Sequence, residues 1–139
     1  MAVRLVLAVV LFPLVLSGQS AVIPRPAAEE MAAGRVPFNA TWCIVCAEPG
    51  LARVAARTIG FWTGIKLDAG SLALPRSRTV VVDGRSNDPA VRALGPEGYR
   101  LEISSGVGAR IESSDPAGAF YGLQTLVQVF QNNGSGDWE

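Results

Sequence analysis

Two apolar rhythms meet between Glu97 and Gln131, and they restrict the fold more than anything else in the chain. Tyr99, Leu101 and Ile103 alternate with Arg100 and Glu102, the pattern of a strand with one wet face. Ser104-Ser105-Gly106 supplies a turn, and Val107, Ala109 and Ile111 then alternate back with Arg110 and Glu112. The two strands are expected to pair antiparallel, with Arg100, Glu102, Arg110 and Glu112 on one solvent-facing side. After them the period becomes helical. Asp115 can accept hydrogen bonds from the free amides of a first turn, and Pro116 suits the first helical position. Phe120, Leu123, Val127 and Phe130 form an apolar stripe with Leu126 beside it, and Asn132, Asn133 and Gly134 can end the helix. Gly118 and Gly122 each cost about 1 kcal/mol relative to alanine inside a helix. Their place on one side therefore predicts close approach to a neighbouring strand or helix.

Upstream, Val22-Ile23-Pro24-Arg25-Pro26 is extended, because each proline disfavours helical geometry in the residue before it. A loop follows to Gly34, and Thr41 to Ala47 is expected to form a buried strand. Leu51, Val54, Ala55, Ile59 and Trp62 share one helical stripe, so Leu51 to Thr63 is the first helix, with Gly64 as its terminator. Thr79 to Asp83 is a β-branched buried strand, and Gly84 to Gly95, rich in turn residues, is a surface loop. The resulting expectation is an α/β (α+β) fold: a small, mainly antiparallel sheet with two helices packed on one face.

Composition narrows what such a domain can do. Arg4, the apolar run Leu5 to Leu16 and the small residues up to Ala21 have the layout of a secretory signal peptide over residues 1–21. The run falls short of the ~20 residues that a spanning helix needs. The remaining roughly 118 residues suffice for one modest core. The mature chain is thus expected to be exported, with no membrane attachment after cleavage. Twelve acidic residues balance twelve basic ones, which are scattered singly, so no stripe exists to neutralise a nucleic acid backbone. Histidine is absent, which removes His-based triads and HExxH zinc sites together.

Cys43 and Cys46 have the spacing of a redox motif, but strand geometry would point their side chains to opposite faces. That favours buried small residues or a non-local contact over a local disulfide or a reactive pair. Zinc lacks the four ligands it needs. Among the carboxylates, Glu29, Glu30, Glu102 and Glu112 read as solvated or ion-paired acids and not as a glycosidase pair. Gly106-Val107-Gly108 belongs to a hairpin, not to a phosphate cradle. Asn39-Ala40-Thr41 and Asn133-Gly134-Ser135 match the N-glycosylation sequon. Tyr99 and Tyr121 are candidates for a sheet–helix interface, a domain contact or a sugar.

Four segments together carry a family likeness: Ile23-Pro24-Arg25-Pro26, Gly64, Glu97-Gly98-Tyr99 and Gly118-Ala119-Phe120-Tyr121-Gly122-Leu123-Gln124-Thr125-Leu126. The chain resembles, over about Val22 to Gln131, the small N-terminal domain that precedes the catalytic barrel in β-N-acetylhexosaminidases of glycoside hydrolase family 20. The Phe120 to Thr125 string separates it from similar small domains before the barrels of α-glucuronidases and the O-GlcNAcase group. The resemblance implies a zincin-like domain over residues 22–132 that braces a barrel, with residues 133–139 opening a linker. Tyr99, Tyr121 and Gln124 become candidate barrel contacts. For a parent enzyme it implies removal of terminal N-acetylhexosamine from glycoconjugates or chitin fragments by substrate-assisted chemistry. The barrel glutamate and aspartate that perform it have no counterpart in this sequence, so no catalytic residue, cofactor or metal is assigned. The chain is expected to be inactive alone. The alternative is a stand-alone carbohydrate-binding or interaction module that meets N-acetylhexosamine glycans directly.

Overall fold

A computed structural model describes Ala28 and residues 36–70, 78–105 and 108–132. The expected leader at 1–21, the segment 22–26 read as extended, Gly106 and Val107 of the expected turn, and Asn133 with the expected linker lie outside the described residues. In chain order the elements are β1 (Cys43–Val45), α1 (Pro49–Thr63), β2 (Asp68–Gly70), β3 (Thr79–Asp83), α2 (Pro89–Arg92), β4 (Tyr99–Ser104), β5 (Gly108–Ser113) and α3 (Pro116–Asn132).

The strands form one five-stranded sheet in the order β2-β1-β3-β5-β4. Its β2–β1, β1–β3 and β3–β5 ladders are parallel, and only β4–β5 is antiparallel. The α/β class therefore holds, while the mainly antiparallel sheet is corrected to a mostly parallel, mixed one. The reason lies in how pairing is encoded. A hairpin is written in adjacent residues, and the register Tyr99↔Ser113, Leu101↔Ile111, Ile103↔Ala109 follows the expected alternation. Parallel partners are joined through long connections, so nothing local marks them. A trace was nonetheless present in Ile44, Val80 and Val82, whose near-continuous apolar surroundings suit strands at the centre of a parallel sheet.

Both long helices cover the same sheet face. Val80, Val82, Ala109 and Ile111 point up from the strands and meet Ala55 and Ile59 of α1 and Leu123, Leu126 and Val127 of α3, all buried. One end is closed by aromatic stacking. The Phe38 ring lies 3.9 Å from that of Phe130 and nearly parallel to it, and Trp42 meets both edge-on at 5.0 and 6.1 Å. The helix ends obey their sequence signals. Gly64 adopts φ 72° and returns its N–H to the Gly60 carbonyl. Asp115 Oδ1 accepts from Gly118 N–H at 2.8 Å, with Pro116 opening α3.

Four expectations change in detail. The strand at Thr41 to Ala47 contracts to Cys43–Val45, and Asp68–Gly70 adds an edge strand that no apolar pattern marked. The Gly84 to Gly95 loop contains the single turn α2, capped by Asp88 Oδ1 on Ala90 N–H at 2.9 Å. On the two long helices the buried stripe is narrower than the apolar one. Val54, Trp62 and Phe120, placed on the inner stripes from periodicity, face outward and are exposed. A single sheet can cover only one face of each helix, so the surplus apolar residues remain outside.

Candidate functional site

The family-like motifs converge at the junction of β4, β5 and α3. Gly98 precedes β4 in a turn too tight for a side chain, since a Cβ there would lie 2.6 Å from Leu94 Cβ. Glu97 takes φ 62°, unusual for a residue with a side chain, and its N–H is held by Asp115 Oδ2 at 2.9 Å. One carboxylate thus fixes both the entry to β4 and the start of α3. Gly118 and Gly122 then admit the helix to the sheet. A Cβ on Gly118 would come within 2.5 Å of the Gly98 carbonyl oxygen, and one on Gly122 within 2.5 Å of Ile111 Cγ2. The close approach expected from the sequence is a helix–strand contact. Tyr99 completes it, its hydroxyl hydrogen bonding with that of Thr125 on α3.

Outward from that junction lies the other half of the arrangement. Phe61 is 79% exposed, Trp62 49%, Tyr121 45% and Phe120 40%, all on the two helices of one layer. Phe61 packs edge-on against Trp62, and Phe120 against Tyr121. Gln131 Nε2 donates to the Trp62 carbonyl at 3.1 Å and ties the C-terminal ends of the two helices together, at the Phe61–Trp62 end of the layer. Neither helix contains an acidic residue, while Arg53 and Arg57 stand exposed on α1. Four large aromatic side chains thus stand exposed on one helix layer as two contacting pairs, and exposed apolar surface of this kind marks candidate contact surfaces. Of the candidate contacts, Tyr121 stands on this layer and Gln124 is half-buried on α3, whereas the hydroxyl of Tyr99 is engaged inside the domain.

The opposite sheet face carries a charge network that sequence reading placed but did not assemble. Glu112 is buried, not solvated. Its Oε2 accepts from Arg100 at 2.6 and 3.1 Å, and its Oε1 from Arg110 at 3.1 Å. Arg100 also reaches Asp88 Oδ2 at 2.7 Å, so α2 is fastened to the β4–β5 ribbon. The Arg110 and Arg100 hydrogen bonds hold the Glu112 carboxyl below its ordinary range against the opposing effect of burial. The Arg100 hydrogen bond, with that of Ala90 N–H, does the same for Asp88. Asp115 is lowered by its bonds to the Glu97 and Gly118 amides. Carboxylates stabilised as anions and occupied on both oxygens cannot serve as the proton-donating acid of a glycosidase.

The remaining candidates are quiet. Cys43 and Cys46 stand as buried thiols, and burial pushes Cys46 up from its ordinary value, away from the reactive thiolate. Among the described residues no group of three or more metal-ligating side chains converges. No helix among them is long and apolar enough to cross a membrane. An open cleft of about 510 Å³ at the strand ends is lined by Arg85, Asn87, Arg92, Ser114 and Asp115, with no second acid opposite Asp115.

Fold and site together define a class: a small α/β module whose charge network on one sheet face is paired internally and whose helical layer carries exposed aromatic residues. Comparison makes the assignment specific. The family model described as "Glycosyl hydrolase family 20, domain 2" matches residues 19–138, and the chain belongs to that family as its N-terminal, non-catalytic domain. Among solved structures it is similar to a GH138 enzyme targeting pectin rhamnogalacturonan II, with a TM-score of 0.52 and 12% identity. That likeness, which speaks for the fold alone, covers 70% of this chain and 14% of the other. A search of curated proteins finds no match.

Proposed function

We propose that this chain is the accessory domain of a secreted β-N-acetylhexosaminidase and braces the catalytic barrel through the outer layer of α1 and α3. The observation that carries the reading is the exposure of two aromatic pairs on the one helical layer, Phe61–Trp62 at the end of α1 and Phe120–Tyr121 at the start of α3. Burial of such rings against a partner supplies the driving force for a stable domain contact. Membership in the family supplies the partner's class, and Arg53 and Arg57 favour a partner surface that bears carboxylates. Hydrolysis of terminal N-acetylhexosamine belongs to the barrel, and this domain acts on it by holding it in place.

The test has two arms. The purified chain is assayed with a chromogenic N-acetylglucosaminide, and no turnover is expected; turnover that follows the chain through purification would refute the accessory role. The chain is then co-expressed with a family 20 barrel stripped of its own domain. Co-elution is expected, with loss of the complex in the Phe61→Asp, Phe120→Asp variant. A second reading, direct binding of N-acetylhexosamine glycans, draws on the solvent-facing rings of Trp62 and Tyr121. Calorimetric titration with chitooligosaccharide decides it, since a flat trace at millimolar sugar excludes that function.

A further inference from the structure

We propose that Asn39 is an N-glycosylation site, its side-chain amide taking an oligosaccharide when the chain passes through a secretory pathway equipped with an oligosaccharyl transferase. The sequon triplet by itself is common, and one folded into a strand or core would be closed to the enzyme. This one is not. Asn39, Ala40 and Thr41 are all exposed, while Phe38 and Trp42 on either side are buried. The flanking rings hold the turn out from the domain. Phe38 stacks on Phe130, and Trp42 Nε1–H donates to the Pro37 carbonyl at 2.9 Å. The Trp42 N–H closes the turn on the Asn39 carbonyl at 3.2 Å.

Within the turn the amide is oriented by its own sequon. Asn39 Oδ1 accepts from the Thr41 N–H at 2.9 Å and from the Thr41 hydroxyl. An amide held by its oxygen presents its nitrogen on the other side of the same plane, and Nδ2 makes no hydrogen bond to the described residues. A glycan attached there leaves from the tip of the turn, displacing no core side chain. The modification forms a bond from Nδ2 to the anomeric carbon of a polyprenyl diphosphate-linked oligosaccharide. The bond from that carbon to the diphosphate oxygen breaks, the diphosphate leaves with the electron pair, and the amide proton passes to a base of the transferase. None of the outer aromatic residues of α1 and α3 belongs to this turn, so the inference stands apart from the docking reading and can fail without it.

The experiment expresses the full chain, behind a cleavable secretion signal, in a eukaryotic cell line. Peptide mapping by mass spectrometry is run before and after treatment with a peptide N-glycosidase, on medium and lysate alike. Asn133→Gln is the background throughout, which removes the second sequon. A glycopeptide containing Asn39 is expected, with aspartate at that position after enzymatic release. Asn39→Gln and Thr41→Ala should abolish it, and Thr41→Ser should retain it. Thr41→Ser also keeps the hydroxyl and the turn, which separates recognition from misfolding. An unmodified Asn39 in chain that has entered the secretory pathway would overturn the inference, as would a glycan that persists in Asn39→Gln.

Discussion

Replacing Gly118 by alanine should destabilise the domain, while the same replacement at Gly50 should stabilise it. Both glycines lie in the first turn of a long helix, so helix propensity favours alanine at each, by at most about 1 kcal/mol. Their surroundings differ. Nothing lies within 4 Å of a Cβ placed on Gly50, and relief of unfolded-chain freedom should leave a net gain of about 0.4–1 kcal/mol. At Gly118 the new methyl would sit 2.5 Å from the Gly98 carbonyl oxygen, 2.9 Å from Ser113 Cβ and 3.1 Å from the Glu97 carbonyl carbon. The oxygen is the hard obstacle, because carbon–oxygen contacts below roughly 3.3 Å are repulsive. Gly98 cannot retreat, being wedged against Leu94, so α3 must move away from the sheet. Overpacking of this kind costs about 1–3 kcal/mol, which exceeds the propensity gain and leaves a net loss of about 1–2 kcal/mol. Urea unfolding of the full chain, followed by tryptophan fluorescence, to which the buried Trp42 contributes the environment-sensitive part, measures both variants on one scale. If Gly118→Ala raised the midpoint as Gly50→Ala does, the helix would not depend on contact with the Glu97–Gly98 turn, and the physical account of the motif would fall.

Other perturbations test separate parts of the structure. Glu112→Gln keeps the shape but removes the charge between Arg100 and Arg110, and should cost on the order of 1–3 kcal/mol in urea melts, towards the low end because Arg110 is half-exposed. The folded-state pKa values of Glu112 and Asp88 are depressed, so their stabilisation is complete above the ordinary carboxylate range and is lost as pH falls through the lower folded values. The urea midpoint should therefore drop on acidification from about pH 5 towards about pH 3, and drop less in Glu112→Gln. Phe61→Ser should leave stability within about 0.5 kcal/mol of the parent, because so little of the ring is buried. Light scattering of the same variant should show less self-association. Cys46 should react slowly with an aromatic disulfide reagent at mildly alkaline pH in the native state and rapidly in denaturant, and fast native reaction would contradict its burial.

What the sequence disclosed depended on how far apart the cooperating residues lie. The β4–β5 register, the Gly64 cap that ends α1 and the Asp115 cap that starts α3 were readable because each is settled within a few neighbouring residues. The parallel ladders were not, since the partners of Ile44 and Val80 are chosen by the connections and not by the strands. The charge network shows the intermediate case. Alternation put Arg100, Glu102, Arg110 and Glu112 on one face, but the reach from Asp88 in α2 to Arg100 depends on where a long loop returns. The spacing of Gly118 and Gly122 announced a close contact without naming its partner. Glu97, whose positive φ glycine would ordinarily supply, gave no compositional sign at all.

The outward-facing rings carry the same lesson into function. Periodicity could rank Val54, Trp62 and Phe120 as apolar stripe residues, but it could not say whether a stripe is met by this chain's own sheet. The sheet, with one face for two helices, is filled by Ala55, Ile59, Leu123, Leu126 and Val127. Small residues, Ala52, Ala119 and the two glycines of α3, line the inner side and draw the helices down, which leaves the larger aromatic residues no room beneath them. The inside of the layer is therefore complete without Phe61, Trp62, Phe120 and Tyr121. A second surface to cover both ring pairs is what the proposed docking on a neighbouring domain supplies.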